Sequence, residues 1–338
     1  MLKKLVEIWG VSSQETMVSD FIAEECKPYA DEIIRDALGN LIVLKRGNGE
    51  NKKKIMTAAH MDEIGLMVTE ITDKGFLKVK NIGGINANFA YMNRVIFRNG
   101  VEGVVGVEGS AEELKNSDIK KLYIDIGASS KEEAEKYVQV GDLIAFQGEY
   151  KELLGGNVMS KIFDDRVGCC IQMEALKKMK TPYHDVYFVF TVQEEVGTRG
   201  GTTSAERVKP DLGIAVDISA SFDTPGNEGG VAHLGGGASI KLFDNSVMCD
   251  EFLTSEMIRL AEENSIPWQR DILPFGGTDA GAINKSNQGV KAVGISIPTR
   301  YGHAPHSVIN LGDVKACADL LRVYCESPLK IVTEERIK

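Results

Sequence analysis

Two changes of texture along the chain constrain its fold more than any other feature. Residues 1–68 read as helix, helix, strand, strand and then a buried strand over 54–59 that ends at His60, with Gly39-Asn40 as a turn. From about 69 to 157 the pattern becomes a series of short β-runs, at 76–80, 94–98, 101–107, 122–127 and 142–147. Asn99-Gly100, between two of these runs, is a strong hairpin signal. After 157 the alternation resumes. A helix begins near Asp165 with apolar residues at Val167, Cys170, Ile171 and Ala175. Strands follow at 186–192, 212–216 and 238–243, then a helix over 252–263, strands near Ile272 and over 292–297, and a closing helix over 314–325.

Strands alternating with helices predict an α/β layer with a mainly parallel sheet. The expected architecture is such a layer, made of residues 1–68 and 158–338, with helices flanking the sheet and a β-rich, barrel-like domain inserted at 69–157. Length points the same way, because 338 residues exceed the roughly 250–300 that one core accommodates.

Composition narrows the function. Hydrophobic residues at 43% and charged residues at 26% match ordinary globular usage. The longest apolar run, 186–192, falls far short of the ~18 residues that suggest a membrane span. The first nine residues are interrupted by Glu7 and read as an amphipathic helix, with no convincing cleavage site after them. Six scattered cysteines form no Cys-x-x-Cys or Cys/His zinc pattern, which fits a reducing, cytoplasmic setting. A net charge of −10 and the lack of a basic stripe interleaved with aromatics argue against nucleic acid as a partner.

The acids and histidines with chemical potential fall at the ends of predicted strands, where open α/β sheets place their ligands. In Ala59-His60-Met61-Asp62-Glu63-Ile64-Gly65, His60 could bind a metal while Asp62 holds its ring from behind. Phe163-Asp164-Asp165-Arg166 opens a helix, where capping alone can account for the acids; both readings can also hold, with Asp164 facing a metal and Asp165 serving the helix. Gln193-Glu194-Glu195-Val196-Gly197 follows an apolar strand, and two acids there are costly to desolvate without cations or donors to meet. Asp217 ends another apolar strand, and Arg300-Tyr301-Gly302-His303 follows a third, with His306 close by. Gly276-Gly277-Thr278-Asp279 opens a further helix, either as a plain cap or as a rim contact, so Thr278, Asp279 and Arg300 are candidates for touching substrate.

A charge count ties the set together. If Asp164, Glu195 and Asp217 hold two divalent cations, three negative charges meet four positive ones, and one hydroxide neutralises the cluster. Paired cations of this kind lower the pKa of bound water towards ~7 and create a nucleophile. Glu194, left unliganded, is then a natural general base.

Together these residues resemble the tetrahedral dinuclear aminopeptidases of metallopeptidase family 42, which include glutamyl, leucyl and deblocking types. The resemblance spans nearly the whole chain and rests on the motifs around His60, Asp164, Glu194-Glu195, Asp217, Asp279 and His303. It implies a zinc-exopeptidase catalytic domain of the phosphorylase/hydrolase-like type. His60 and Asp217 would bind one zinc or cobalt ion, Glu195 and His303 the other, and Asp164 would bridge them. Glu194 would act as base, with Asp62 behind His60. The resemblance also implies peptide substrates, dimerisation through the inserted domain, and dimers assembling into a dodecamer.

Related deacylases and carboxypeptidases resemble the ligand set but carry their extra domain later, before the final histidine. Some family members have been described as endoglucanases, and Glu194 with Asp164 or Asp165 could form a glycosidase pair. That alternative leaves His60, Asp217 and His303 unexplained, and 7% aromatic residues give no sugar-cleft signal. The family often has a glutamate four residues after its last histidine, where this chain has Ser307; His306 is the nearest substitute support.

Overall fold

The computed structural model describes residues 1–333. Helices α1 (Leu2–Glu7) and α2 (Thr16–Cys26) lead into strands β1 (Glu32–Arg35), β2 (Leu41–Lys45) and β3 (Lys54–His60). Six strands follow: β4 (Gly65–Ile71), β5 (Leu77–Ile82), β6 (Arg94–Phe97), β7 (Glu102–Val107), β8 (Leu122–Asp125) and β9 (Leu143–Phe146). One-turn helices α3 (Ala87–Ala90) and α4 (Lys131–Ala134) lie among them. The chain continues with β10 (Lys151–Glu152), β11 (Asn157–Ser160), α5 (Phe163–Lys178), β12 (Asp185–Thr191), α6 (Arg199–Val208) and β13 (Leu212–Ala220). It ends with β14 (Ala238–Asp244), β15 (Val247–Met248), α7 (Glu251–Glu263), β16 (Trp268–Ile272), α8 (Asp279–Asn284), β17 (Lys291–Thr299), β18 (Ser307–Asn310) and α9 (Leu311–Glu326).

The main sheet has the order β1-β2-β12-β3-β13-β17-β14-β15, with β16 pairing β14. Its centre is parallel: β12, β3, β13 and β17 run in one direction. Its flanks are antiparallel at β1–β2, β2–β12, β17–β14 and β14–β15. The sheet is therefore mixed, where the sequence predicts a mainly parallel one. Short connections are the reason at β1–β2 and β14–β15, since a tight turn can join only antiparallel neighbours; β2–β12 and β14–β17 pair across long stretches of chain. Between β1 and β2 the turn is closed by Asp36, whose Oδ1 accepts from the amides of Leu38, Gly39 and Asn40, with Gly39 at φ 115°.

Helices cover both faces. Along β12, Val186, Phe188 and Phe190 belong to the core shared with Val167 and Ile171 of α5 and Leu320 and Leu321 of α9. The alternate residue Val189 packs with Ala205 and Val208 of α6 and Ile283 of α8. Period-two alternation sends the two sets to opposite faces. A strand buried on both sides reads as a continuous apolar run, which is why 186–192 is legible as a core strand.

The inserted strands close into a barrel of order β4-β5-β8-β7-β6-β9. All of its pairings are antiparallel. Leu66, Val68, Leu77, Val95, Val105, Leu122, Ile124 and Ile144 fill its own core. Fully burying each such side chain stabilises by about 1.5–3 kcal/mol. Asn99-Gly100 does join two strands, β6 and β7, with Gly100 at φ 88°. The barrel strands begin at Gly65 rather than 69, because Leu66 and Val68 already face its core. They end at Phe146; β11 pairs instead with β10 and with β18, beyond His303. The six cysteines are free, and among the described residues no helix is long and apolar enough to cross a membrane.

Candidate active site

His60 is the last residue of β3, opposite Thr191 at the end of β12. Its backbone amide donates to Asp165 Oδ2 at 3.2 Å, which ties the strand end to the start of α5. Asp164 and Asp165, joined by a cis peptide bond, lack helical backbone angles, so α5 proper begins after them. Glu194 and Glu195 follow β12 through Gln193, which sits at φ 55°. Asp217 lies inside β13, because that strand continues to Ala220 on its β17 side after its pairing with β3 has stopped at Ala215. The sequence places the strand end at 216. His303 sits in the loop after β17, which Arg300 and Val308 close as an isolated bridge.

These five positions converge. His60 Nε2 is 3.0 Å from Asp164 Oδ1, and His303 Nε2 is 3.1 Å from Asp164 Oδ2. Two groups result, His60/Asp164/Asp217 and Asp164/Glu195/His303, each with its ligand atoms within 4.8 Å of one another. Asp164 belongs to both. Glu194 belongs to neither, yet its Oε2 is 3.9 Å from His60 Nε2.

Asp62 organises more than the histidine. His60 Nδ1 lies 3.1 Å from the Asp62 carbonyl and 3.5 Å from its carboxylate. The same carboxylate accepts from Ser12 Oγ at 2.6 Å and from the backbone amides of Glu194 and Glu195 at 2.9 and 3.2 Å. One buried acid thus sets the position of both glutamates. Ser12 gives no signal in the sequence, because the contact spans fifty positions. The barrel also reaches the site: the Gly84 carbonyl lies 2.8 Å from His303 Nδ1. Next to it, Gly83 at φ 77° packs so closely that a Cβ there would meet Glu195 Oε2 at 3.1 Å, a position that favours glycine.

The electrostatics separate the residues. Burial works against charge on His60, but its hydrogen bonds to Asp164 and Asp62 win and hold its pKa well above the usual histidine value. His303 is 43% exposed, and Glu195 and Asp164 likewise hold it up against its desolvation. The two imidazoles overcome burial at Asp164 and hold it well below the carboxylate range. Burial, reinforced by neighbouring carboxylates, pushes Glu194, Asp217 and Asp165 well up, and lifts Glu195 to about 7. A cluster of buried acids that repel one another, sharing two imidazoles, is a donor set that fits divalent cations. Oxygen and nitrogen ligands suit zinc or cobalt.

A cavity of about 470 Å³ opens onto His60, Asp164, Glu194, Asp217 and His303. Thr278 and Arg300 line it. Thr278 is also the cap of α8, accepting from the Ala280 amide and donating to Asp244. Asp279 is not at the rim: it is buried, accepts from Thr191 Oγ1 at 2.6 Å, and lies against Gly201. Its nearness raises the Glu194 pKa. Arg300 is held by Asp223 in a two-pronged pair, Nε to Oδ1 at 2.9 Å and Nη2 to Oδ2 at 2.7 Å. Ser307 donates to the Tyr301 carbonyl, and His306 is exposed.

Residues 39–320 match the family model described as M42 glutamyl aminopeptidase. The lysyl aminopeptidase of Pyrococcus furiosus is 32% identical over 340 residues, 96% of this chain and 96% of its own. An aminopeptidase from the archaeon Desulfurococcus kamchatkensis superposes with a TM-score of 0.92 at 38% identity, covering 96% of this chain and 93% of the other. The TET1 peptidase of Pyrococcus horikoshii, described as assembling into a tetrahedron or a large octahedral shell, superposes with a TM-score of 0.83 at 34% identity over 96% of this chain and 98% of its own. The convergent acids and histidines, the inserted barrel and this match across most of the chain lead to one assignment: the chain belongs to the M42 aminopeptidase family.

Proposed function

We propose that this protein is a metal-dependent aminopeptidase that hydrolyses N-terminal residues from peptides, with two divalent ions, zinc or cobalt, per chain. The observation that carries the reading is the partly buried Glu194, excluded from both candidate cation sites yet beside them. His60 and Asp217 would hold one ion, Glu195 and His303 the other, and Asp164 both. Bound ions would supply Lewis-acid polarisation of the scissile carbonyl and would make the attacking water more acidic. Glu194 would take a proton from the attacking water at Oε2 and deliver it to the leaving amine. Asp62 keeps Glu194 in place by holding its backbone amide, and keeps His60 facing inwards.

The glycosidase reading is weaker on geometry. Asp164 lies between two imidazoles, so it is not free to serve as one of a glycosidase's carboxylate pair. In the proposal, the chain before β4 and from β11 onward forms the catalytic part, and the barrel inserted between His60 and Asp164 joins subunits into dimers that assemble into a dodecamer in the cytoplasm. The Pyrococcus horikoshii relative's closed shell supports that assembly.

The test is release of dye from aminoacyl-anilides. The reading expects activity that a chelator abolishes and added zinc or cobalt restores. No release with metal restored, or chelator-independent cleavage of carboxymethylcellulose, contradicts it.

A further inference from the structure

We propose that the cavity beside the acid cluster selects peptides whose N-terminal side chain is uncharged and apolar, and that Asp223 sets this selectivity by neutralising Arg300. The proposal rests on the aminopeptidase reading and names the substrate class of that site. Beyond the acids and histidines, the cavity walls are formed by Ile218, Leu273 and Phe275, by Gly276 and Gly277, and by small neutral polar residues such as Asn227. Phe275 is 53% exposed, an apolar ring left open to the cavity and solvent. Among the described residues, Arg300 is the one cationic side chain on the wall apart from the two histidines.

That cation is already matched. Two of its nitrogens hold Asp223, whose carboxylate also accepts from Ser221 Oγ at 2.9 Å and from the Leu234 amide at 3.2 Å. The Arg300 guanidinium, helped by these donors, overcomes the effect of burial and holds Asp223 down to about 2, so the pair is a fixed neutral unit at working pH. An N-terminal glutamate would bring a second carboxylate to a fork that is already occupied. Among the described residues of the wall, an N-terminal lysine would find no acid outside the catalytic cluster, so its ammonium would be desolvated against Leu273 and Phe275 without a partner there. A leucine-like side chain loses nothing on entry and covers Leu273 and Phe275.

The test measures two things on the zinc- or cobalt-loaded protein. The first is kcat/KM for leucyl-, glutamyl- and lysyl-p-nitroanilide. The second is the calorimetric Kd of free leucine, glutamate and lysine, which reads the cavity without turnover. Leucine should lead both charged residues by about tenfold or more in each measurement. Glutamate or lysine equal to or ahead of leucine in Kd overturns the proposal. Leucine-selective binding with no cleavage of any anilide would uphold the selectivity and reject the peptidase reading. Asp223→Asn uncovers the Arg300 charge and should raise the glutamate-to-leucine ratio by about tenfold. Because Asp223 also holds the 221–234 loop, the double variant Asp223→Asn, Arg300→Gln is its control. It should return the ratio to the wild-type value. A ratio that stays high in the double variant, or never rises in the single one, contradicts a charge-based filter.

Discussion

The parallel centre of the main sheet and the inserted barrel are both made of short strands with buried apolar side chains, but they differ in what else they bury. Among the described residues of 65–146, no polar or charged side chain is buried. The sheet and its flanking helices bury His60, Asp62, Asp165, Arg166, Asp217, Lys241, Asp271 and Asp279. Strand direction accounts for the difference. Antiparallel strands joined by hairpins send successive loops to opposite ends of the barrel, whereas β3, β12, β13 and β17 run the same way, so the segments leaving them gather on one rim. Chemistry is concentrated where strands agree in direction, and stability without chemistry where they alternate. The barrel meets the site through backbone at Gly83 and Gly84, and through Phe146, which lines a small cavity with Asp164, Glu195 and His303.

Substitutions in the two regions should therefore fail in different ways. The largest effect is expected from Glu194→Gln, which should lower kcat by about 10²–10⁴ while the cations stay bound and the melting transition hardly moves; steady-state kinetics with metal analysis checks this, and full activity would remove Glu194 as the base. In the barrel, Ile124→Ala should cost about 2–5 kcal/mol in denaturant unfolding, with kcat per folded chain retained. A loss of kcat without a loss of stability would erase the contrast. Asp62→Asn should weaken cation affinity by about 10–100-fold, since it loosens His60 and both glutamate amides. Competition with a chromogenic chelator reads that shift, and unchanged affinity would mean that Asp62 serves only packing.

The smallest effect concerns pH. Asp223 is depressed to about 2 in the fold from an ordinary 3.8, so its contribution to stability is present above about pH 4 and is lost as pH falls through 2. The stability gap between wild type and Asp223→Asn should narrow over that window in urea titrations. A gap that stays constant would show that the pair contributes nothing titratable.

Much of the site is legible in the sequence because acids and histidines placed directly after apolar strands have a shared destination. His60, Asp164, Glu195, Asp217 and His303 meet for that reason, and the cluster needs only the strand order to form. The supports are not legible. Ser12 reaches Asp62, and Asp223 reaches Arg300, across segments with no local pattern that links them. Asp279 reads from the sequence as either a cap or a rim residue in a glycine-rich turn, but Thr191 holds it below the surface, a contact between positions 88 apart that only tertiary packing creates. The antiparallel flanks of the sheet were hidden for a similar reason: a strand's residues record its burial on two faces, not the direction of its neighbour.

If the shared carboxylate of Asp164 and its four partners hold a pair of cations, the protein itself should carry them. Elemental analysis of the protein after incubation with zinc or cobalt and removal of excess tests it most directly. Two ions per chain are expected, falling below two in Asp164→Ala. A wild-type chain that retains no divalent ion, or an Asp164→Ala variant that still holds both, would contradict it.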